Sequence, residues 1–470
     1  MKIPEKIITI MKSLTVAGYE AYVIGGAVRD FYMGKEPHDY DIFTNATGEQ
    51  ILKLFPKGIV LGNEERQEKI LTVIVDGTEV SQYRKNGNRT EVGNNIITHL
   101  STCDFTVNAI ACNINGDILD PYGGRIDIKN RSLTFVGNAH DRIKEDPLRI
   151  LRGIRFWGIL GHFKDYGVVL KYIDLLDTIP KERIREEFMK ILETNILETL
   201  LSDRTIILKI MPELKECYGV EGGKFHDEDV ITHMKNAFVY ASKITDNVLL
   251  RLAIFLHDIG KGVAGCIEKD GEWHFYEHEG KGEELVKQFM DRLKFSKTDI
   301  IYITTLIRLH MYSYKGSPGK KSHMKFFIKL KEANIPIEDY VMLLYCDHQA
   351  NGKKPRFKFG DFIKGNRLIH KYYEYTYSKE PFSIKELELT GHDVMKYGLK
   401  GKEVGDTLKK IFEEVLEGNI KNERPELLTK LKDLVKVETC CVCDGPCEMN
   451  TEYDGSAVCM DKKCSVHKEE

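Results

Sequence analysis

The sequence predicts an α+β fold, in which a small α/β head precedes a long, entirely helical body. Up to residue 138, short strand-like runs alternate with helical stretches and with turn dipeptides such as Asp76-Gly77 and Asn115-Gly116. From residue 139 onward, apolar residues recur at helical spacing, as in 184–197 and 249–255. A third pattern begins near residue 437, because six of the eleven cysteines lie between 440 and 464.

The 470 residues are enough for several domains. Changes in composition predict five segments: a head over 1–138, a helical neck over 139–218, helical segments over 219–350 and 351–436, and a Cys-rich segment over 437–470. The 69 basic and 72 acidic residues nearly balance, so any RNA contact must be local. Basic and aromatic residues alternate between 315 and 371, although a solvated helical surface explains such runs equally well.

Targeting signals are not evident in the sequence. Residues 1–16 carry several charges, and the longest apolar run, 248–256, is interrupted by Arg251. Single cysteines are scattered through the first 350 residues, which is typical of a reducing compartment. We therefore expect a cytoplasmic protein with no membrane contact.

The first predicted elements form an anion site. Residues 20–24 predict a strand, Gly25-Gly26 a turn, and 27–33 a helix that carries Arg29 in its first turns. Free backbone amides at a helix start attract phosphate groups, so Gly25, Gly26 and Arg29 are candidates to hold a triphosphate. A lone Gly-Gly turn would be a plain loop.

The next strand carries an acidic pair. Asp39 and Asp41 are two residues apart, so both side chains should lie on one face of the strand. Paired carboxylates suit Mg²⁺, and nucleotidyl transfer with two metal ions calls for a third carboxylate. Glu79, on the second strand of the hairpin at Asp76-Gly77, is the candidate, although an exposed strand glutamate would have the same pattern.

The order of these motifs resembles the nucleotidyltransferase superfamily that includes polymerase β. More narrowly, it resembles the class II (bacterial-type) tRNA nucleotidyltransferase and poly(A) polymerase family. Residues 25–30, 39–41 and 77–80 are similar to its metal and triphosphate motifs, 104–109 and 120–124 to its ribose-contacting segment, and 145–152 to its base-selecting motif. Residues 389–395 and 417–424 resemble the tail that binds the tRNA body. The resemblance covers residues 1–435 and implies a polymerase-β-like head, a neck that recognises the nucleobase, Mg²⁺, ATP and CTP.

The resemblance also assigns candidate residues. The metals and catalysis fall to Asp39, Asp41 and Glu79. The nucleotide falls to Gly25, Gly26, Arg29, Asp104, Asn108, Asp146, Arg149 and Arg152.

Asp146 and Arg149 suggest how a protein selects C and A. Asp146-Pro147 predicts a helix start, with Asp146 as the capping residue and Arg149 on the same side of the first turn. A carboxylate only accepts hydrogen bonds and a guanidinium only donates them. Cytosine and adenine both offer an amino donor beside a ring-nitrogen acceptor, whereas uracil and guanine present the reverse order. The alternative is a helix cap and a surface ion pair.

Two departures from the family pattern matter. Thr102-Cys103 stands where the family usually has Arg-Arg, so the missing contact is absent or comes from elsewhere, with Arg84 and Arg89 as candidates. The basic stretch that marks poly(A) polymerases is missing from 61–70, which favours tRNA end repair. Residues 85–95 contain Gly and several Asn and predict a mobile loop for the change from C to A addition.

A second set of ligands lies in segment 219–350. His233, His257-Asp258 and Asp347 combine imidazoles and carboxylates that suit a divalent metal ion. Residues 254–261 resemble the HD phosphohydrolase signature, so the segment is expected to be an HD domain. Hydrolysis of phosphoesters, including 2′,3′-cyclic phosphates, is a possible activity. Further candidates for a second metal or the substrate are His226, His274, His278 and His310.

The final segment predicts a structural zinc site. Cys440 and Cys443 are separated by two residues, and Cys459 and Cys464 by four. Four such ligands suit Zn²⁺, and a segment this short cannot fold on apolar burial alone. Disulfides are the alternative. Other possible ligands are Cys441, Cys447 and His467.

The sequence therefore predicts an enzyme that adds CMP and AMP to tRNA 3′ ends without a template, with a possible HD phosphohydrolase activity. The alternatives with the same chemistry are an A-adding enzyme and a poly(A) polymerase. A different class is an HD metal phosphohydrolase that acts on RNA ends and whose head only binds RNA. A third is a non-catalytic RNA-binding scaffold.

Overall fold

The computed structural model describes residues 1–61, 72–85, 91–194, 196–223, 228–268, 271–314, 318–352, 356–435, 447–449 and 457–459. Two compact units account for the chain. One comprises 1–215 with 289–295, and the other comprises 216–288 with 296–470. The division after residue 215 lies close to the predicted boundary at 218, and the finer predicted boundaries stay predictions.

The first unit contains a seven-stranded sheet with the order β3-β4-β5-β2-β1-β6-β7. Its strands are β1 Ala21–Ile24, β2 Asp41–Thr44, β3 Ile59–Leu61, β4 Thr72–Val75, β5 Thr78–Gln82, β6 Ala111–Asn113 and β7 Ile118–Leu119. Neighbouring strands are antiparallel except for β2 and β5, which run parallel. The helices among and after them are α1 Glu5–Val16, α2 Gly26–Tyr32, α3 Gly48–Leu54, α4 Ile96–Leu100 and α5 Gly124–Lys129.

Local sequence explains the turns of this sheet. The hairpin between β4 and β5 turns at Asp76 and Gly77, whose φ angles are 49° and 74°. Asp and Gly tolerate these positive φ values, so the predicted hairpin is confirmed. After β1 the chain turns at Gly25, with φ of 77°, and enters α2.

Helices make up nearly all of the rest of the first unit. They are α6 Ala139–Glu145, α7 Arg149–Leu160, α8 Tyr166–Lys171, α9 Lys181–Leu192, α10 Leu197–Asp203 and α11 Thr205–Ile210, with one short strand pair, β8 Ser132–Leu133 and β9 His162–Phe163. Helix α7 buries Ile150, Leu151 and Ile154 and packs against α9. The core of this region is therefore apolar, and the helices present their polar faces elsewhere.

Residues 216–435 are also mainly helical. The helices are α12 Val230–Ala241, α13 Val248–Leu256, α14 Lys261–Ala264, α15 His278–Arg292, α16 Lys297–Leu309, α17 Lys320–Glu332, α18 Ile337–Ala350, α19 Phe359–Gly365, α20 Arg367–Tyr377, α21 Gly391–Met395, α22 Lys402–Glu417 and α23 Arg424–Val435. The strands are β10 Gly265–Ile267, β11 Trp273–Phe275, β12 Cys447–Met449 and β13 Ala457–Cys459. Helix α13 is buried between α12, α16 and α18, which explains why it is apolar except for Arg251.

The two tail motifs of the sequence meet in the structure. The guanidinium of Arg424 donates to the carboxylate of Asp393 at 2.6 and 3.1 Å. Asp393 also forms a capping box with Thr390 at the start of α21. Within the described ranges, no helix is both long enough and apolar enough to cross a membrane. The predicted α+β fold with a helical body is confirmed.

Candidate active sites

A cavity of about 410 Å³ opens between the sheet and the helices of the first unit. Its lining combines residues of the Gly25-Gly26 turn, strand β2 and helix α7. Guanidinium groups outnumber carboxylates on its walls, so its charge suits a triphosphate. The charged lining residues are Arg29, Arg84, Arg149, Arg152, Arg155, Arg183, Asp41, Asp104 and Asp146.

Sheet register brings the acidic strand β2 to the Gly25-Gly26 turn. Ile24, the last residue of β1, pairs with Asp41, the first residue of β2. The parallel pairing of Ile42 with Val80 then places Asp41 beside Glu79. The turn and the first residues of β2 and β5 therefore meet at the same end of these central strands.

The three head carboxylates interact through space. Burial, with the nearby charges of Glu79 and Asp39, raises the pKa of Asp41 to about 6, although Arg84 opposes the shift. Asp39 precedes β2 rather than lying within it, and both Asp39 and Glu79 are exposed. Among the described residues, the head contains no group of three ligands within 4.8 Å of one another. The carboxylates are neighbours without forming a closed cage.

A chain of hydrogen bonds joins the phosphate-binding helix to α7. The guanidinium of Arg29 donates to the Asp30 carboxylate and, at 2.8 Å, to the side-chain oxygen Oδ1 of Asn108. The side-chain nitrogen Nδ2 of Asn108 donates to Asp104 at 2.9 Å, and Arg152 of α7 donates to the same carboxylate at 2.7 Å. Four predicted nucleotide-binding residues are therefore parts of one network.

Asp104 is the buried anion of that network. Although burial opposes it, the Arg152 guanidinium holds the pKa of the Asp104 carboxyl below its usual value, with help from Asn108 and the Phe105 amide. The carboxylate is therefore ionised and fixed in orientation. Its Oδ1 atom accepts from the Phe105 amide and the Asn108 side chain, and its Oδ2 atom accepts from Arg152, so Asp104 orients two side chains that can contact a sugar hydroxyl.

The predicted helix start at Asp146 is wrong. Helix α7 begins at Arg149 with Leu148 as its capping residue, and Asp146 instead ends α6 in an extended conformation. One Asp146 oxygen accepts from the Leu148 amide at 3.2 Å, while the other faces Arg183 at 3.3 Å. The Asp-Pro pair thus marks the junction of two helices, a reading that capping statistics alone do not separate from a helix start.

Arg149 is held by the protein on several sides. Its guanidinium donates to the Arg142 carbonyl oxygen and the Glu145 carboxylate, both at 2.9 Å, and to the Thr102 carbonyl oxygen at 3.3 Å. The side chain is nearly buried but still lines the cavity. Arg149 and Asp146 therefore reach the cavity together, each fixed by a charged neighbour.

Sequence reasoning missed several cavity residues, among them Arg155, Phe156 and Arg183. Arg155 and Phe156 lie one turn beyond Arg152 on α7, and Arg183 lies on α9. The spacing of three and four residues from Arg152 is the signal that could have identified Arg155 and Phe156. No local pattern indicates Arg183, because its position depends on the packing of α9 against α7.

In the second unit, the predicted HD ligands come together. His233 Nε2 lies 3.1 Å from an Asp347 oxygen and 3.3 Å from His257 Nε2. Asp258 approaches both imidazoles, at 3.5 Å from His233 and 3.3 Å from His257. All four side chains are buried. Three of them, His233, His257 and Asp347, have ligand atoms within 4.8 Å of one another.

A second group of ligands shares Asp258. Its other oxygen lies 3.3 Å from His278 Nε2 and 3.5 Å from His310 Nε2, and these two nitrogens are 3.1 Å apart. Both histidines are buried. One carboxylate therefore faces two clusters, His233-His257-Asp347 on one side and His278-His310 on the other.

Backbone contacts orient three of these imidazoles. The Nδ1 atoms of His257, His278 and His310 lie 2.6 to 2.9 Å from backbone carbonyl oxygens. A carbonyl only accepts, so Nδ1 carries a proton, and Nε2 is the atom of each imidazole that can bind a metal ion. The Nε2 atoms that face one another at 3.1 to 3.3 Å leave a position for a cation between them, and the donor set therefore fits divalent metal ions.

The clusters are also charged. Burial alone would lower the pKa of His257, but the carboxylates of Asp258 and Asp347 raise it to about 10. Although burial opposes it, Lys261 and His257 hold the pKa of Asp258 well below its usual value. Lys261 donates to Asp258 at 2.7 Å. Metal binding here must displace protons, so its affinity should rise with pH.

Other candidate ligands are placed differently. His274 lies on β11 and faces Glu268 at 4.0 Å, away from either cluster. His226, Arg89, Cys440, Cys443 and Cys464 lie outside the described residues, as do residues 86–90 of the predicted loop. In the register of the antiparallel strands β12 and β13, Cys459 lies opposite Cys447.

Comparison with known proteins identifies both regions. A family model described as the poly(A) polymerase head domain matches residues 21–134, and one described as the HD domain matches 230–345. The CC-adding tRNA nucleotidyltransferase of Halalkalibacterium halodurans is 36% identical over 437 residues, which cover 91% of this chain and 97% of the relative. The CCA-adding enzyme of Geobacillus sp. is 37% identical over 214 residues, which cover 43% of this chain and 53% of the relative.

The extent of these matches differs. The chain spans about half the length of several curated relatives that it matches, which are CCA-adding enzymes. Among solved structures, the Bacillus stearothermophilus CCA-adding enzyme in complex with CTP superposes with a TM-score of 0.67 at 23% identity, over 93% of this chain and 98% of that chain. This similarity shows a shared fold. With the nearly full-length match at 36% identity, the chain belongs to the class II tRNA nucleotidyltransferase and poly(A) polymerase family and carries an HD domain.

Proposed function

We propose that the chain adds CMP twice and AMP once to the 3′ ends of tRNA without a nucleic-acid template. The observation that carries the proposal is one cavity that combines the Gly25-Gly26 turn, Asp41 and polar residues of α7. Relatives named as CCA-adding and CC-adding enzymes align over almost their whole length, which supports tRNA as the acceptor.

Charge repulsion among the head carboxylates fits a divalent cation. The charges of Glu79 and Asp39 raise the pKa of Asp41, and a bound cation would remove this cost. We assign Mg²⁺ to Asp39 and Asp41, with Glu79 beside them. Bound there, Mg²⁺ neutralises charge on the triphosphate and on the attacking oxygen. Gly25 and Gly26 leave room for phosphate oxygens, and Arg29 supplies a cation for them.

Asp146 and Arg149 read the nucleobase in this proposal. Asp146 accepts from the amino group of cytosine or adenine, and Arg149 donates to the adjacent ring nitrogen. Their contacts with Arg183 and Glu145 hold both groups in place before the base arrives. UTP and GTP are rejected because their edges place donor against donor and acceptor against acceptor, which leaves the buried Arg149 unmatched at a cost of about 1–3 kcal/mol. Asn108 and Arg152, oriented by Asp104, hold the sugar.

Nucleotide incorporation tests the proposal. A tRNA transcript that lacks its last three nucleotides is incubated with each labelled nucleoside triphosphate alone and with CTP and ATP together. We expect two CMP additions with CTP alone, one further AMP with both, and none with UTP or GTP. Asp146→Asn is the matched variant: it should weaken discrimination against UTP and GTP. Long homopolymers from ATP would instead support a poly(A) polymerase.

The same assay separates partial activities. The relative from H. halodurans, which aligns over 97% of its length, is named a CC-adding enzyme, and this observation favours CC addition as a second candidate. CMP incorporation with no AMP on a CC-ended transcript would establish that candidate. AMP incorporation on the same transcript, with no CMP on the shorter one, would indicate an A-adding enzyme.

We also propose a phosphohydrolase activity for the HD domain. The shared Asp258 and its two clusters supply five further ligands for a pair of divalent ions, and Lys261 adds a buried cation. A metal pair activates water and neutralises a phosphoester. Phosphoesters at RNA 3′ ends, including 2′,3′-cyclic phosphates, are the proposed substrates. Hydrolysis of 2′,3′-cyclic AMP with Mg²⁺, Mn²⁺ or Ni²⁺ tests it. Loss in Asp258→Asn but not in Asp41→Asn would support the assignment.

The Cys-rich segment carries a third metal proposal. We assign a structural Zn²⁺ to Cys440, Cys443, Cys459 and Cys464 from their spacing. Zinc content measured on the purified chain should fall by one ion in Cys443→Ser. Unchanged zinc content, or cysteines found in disulfides, would exclude the site.

A further inference from the structure

The cavity wall at the end of β5 is built around Arg84. The Arg84 backbone forms a β-bridge with Val92, and its amide donates to His99 Nδ1 at 3.2 Å. The Gly93 amide donates to the Tyr83 carbonyl oxygen at 2.9 Å. The backbone of Arg84 is therefore held on one side by α4 and on the other by the segment that contains Val92 and Gly93.

Gly93 allows this strand to approach. A Cβ atom at position 93 would lie 2.4 Å from the Arg84 carbonyl oxygen and 2.8 Å from its carbonyl carbon. Both are backbone atoms that cannot move aside without shifting Arg84. Only glycine fits at position 93, where the two backbone segments come into contact beside Arg84.

The Arg84 side chain extends along the cavity wall towards Asp41. Its guanidinium carbon lies 6.0 Å from the centre of the Phe43 ring, and Phe43 packs on His99 at 4.3 Å. Phe43 is two residues from Asp41 and therefore on the same face of β2. Arg84, Asp41 and Cys103 line the same cavity.

Strand order places Arg84 on the far side of Asp41 from the triphosphate motif. The sheet runs β6-β1-β2-β5, with Gly25 and Arg29 after β1, Asp41 at the start of β2, and Arg84 after β5. In nucleotidyl transfer, the attacking oxygen and the leaving group lie on opposite sides of the phosphorus. A pyrophosphate that leaves on the Arg29 side requires an acceptor that approaches from the Arg84 side.

We propose that Arg84 binds the last phosphodiester of the acceptor RNA and thereby positions its 3′-hydroxyl. The inference rests on the proposed nucleotidyl transfer. In that reaction the 3′-oxygen bonds to the α-phosphorus, the bond from this phosphorus to the β-phosphate oxygen breaks, pyrophosphate leaves with the electron pair, and the hydroxyl proton passes to solvent. Thr102 and Cys103 line the same cavity and carry no positive charge, so Arg84 supplies the charge at the β5 end of the wall.

Neutralising the phosphate tests the contact directly. Two tRNA acceptors that lack the last three nucleotides are compared, one of them with a methylphosphonate in place of its last phosphodiester. For the wild-type chain, kcat/KM for CMP incorporation should fall about 10- to 100-fold on the neutral acceptor, which corresponds to one charged hydrogen bond. Arg84→Gln should lose a similar factor on the normal acceptor and only about twofold more on the neutral one. Its KM for CTP should not change.

Arg155→Gln is the matched control, because it removes the same charge from the α7 wall of the same cavity. It should keep the full penalty for the methylphosphonate. If Arg84→Gln also keeps the full penalty, or if the wild-type chain shows none, the proposal is wrong. A raised KM for CTP in Arg84→Gln, with the penalty unchanged, would place Arg84 at the nucleoside triphosphate instead.

Two measurements protect the test from a folding defect. Thermal unfolding compares Arg84→Gln with the wild-type chain. If the variant unfolds at a much lower temperature, Arg84→Lys replaces it, because lysine keeps the charge but loses the planar fork. Arg84→Lys should retain part of the methylphosphonate penalty, and a full penalty would contradict a guanidinium contact. Failure of the proposed function is distinguishable, since the wild-type chain would then incorporate no CMP on either acceptor.

Discussion

The carboxylates of the head and the ligands of the HD domain are organised in opposite ways. Asp39 and Glu79 are exposed and lie at the edge of a sheet near the half-buried Asp41. The HD ligands are all buried, and several of their nitrogen and oxygen atoms lie within 3.1 to 3.6 Å of one another. The head site is open to its substrate, whereas the HD site is already assembled.

This difference has a cause in the elements that carry the residues. In the head, two parallel strands place Asp41 and Glu79 side by side, and the Glu79 side chain is exposed. In the HD domain, packed helices deliver histidines whose Nδ1 atoms face backbone carbonyls. Mg²⁺ keeps water ligands and commonly binds together with phosphates, while buried imidazoles bind a transition metal without a substrate. We therefore expect the head to gain its metal with the nucleotide and the HD domain to bind metal without a nucleotide.

The largest expected effect separates the two sites by activity. Asp41→Asn should lower the rate of CMP incorporation by about 10³-fold or more, because the neutral amide no longer compensates the metal charge. Single-turnover incorporation with radiolabelled CTP measures it. Metal content and hydrolysis at the HD domain should be unchanged. A variant that retains a tenth of the wild-type rate would remove Asp41 from the reaction.

Metal stoichiometry sharpens the comparison. A chain stripped with chelator and titrated with Mn²⁺ should bind two ions in the absence of nucleotide, since Mn²⁺ suits His and Asp better than the thiols of the Cys-rich segment. Asp347→Asn should lower the affinity for one ion by about 10- to 100-fold, and Asp258→Asn should lower the affinity for both ions. Inductively coupled plasma mass spectrometry after equilibrium dialysis counts them. Loss of only one ion in Asp258→Asn would show that the carboxylate is not shared.

The smallest effect concerns stability. Because burial and the charges of Glu79 and Asp39 raise the pKa of Asp41 to about 6, its ionised form opposes folding. This cost is complete above pH 6 and disappears as the pH falls below about 4, the usual pKa. In chelator, Asp41→Asn should therefore stabilise the chain at pH 8 by on the order of 1–2 kcal/mol, allowing for the partial exposure of the group. Near pH 4 the difference should vanish.

Melting temperatures at the two pH values measure this effect. Addition of Mg²⁺ with CTP should stabilise the wild-type chain more than the variant, because only the wild-type chain regains the favourable charge pairing. A variant that is less stable than the wild-type chain at pH 8 would mean that Asp41 makes favourable contacts that outweigh its repulsion.

Short-range patterns in the sequence were enough to predict the Gly-Gly turn and the acidic pair of the head and two adjacent ligands of the HD site. The Gly-Gly turn, the acidic pair and the Asp76-Gly77 hairpin depend on contacts within a few residues, so periodicity and turn chemistry identify them. The adjacent His257 and Asp258 are similarly visible. Their convergence with His233 and Asp347 followed from the resemblance to a family rather than from spacing.

Other features depend on tertiary packing. Asp146 follows the end of α6 and lies three residues before α7 begins, although its carboxylate accepts from the Leu148 amide as a capping side chain does and also faces Arg183. Arg183 reaches the cavity only through the packing of α9 against α7. The sharing of Asp258 between two clusters requires His278 and His310, which are 20 and 52 residues further along the chain. Local sequence contains no record of such distances.

Asn108 illustrates how little chemical freedom such a network leaves. Its neighbours are the Arg29 guanidinium, which only donates hydrogen bonds, and the Asp104 carboxylate, which only accepts them. The amide alone, among side chains of that size, offers one group of each kind. An isosteric aspartate would meet Asp104 with like charge, and an isosteric leucine would strand both partners. Slow deamidation at this position would therefore inactivate an ageing enzyme molecule without unfolding it.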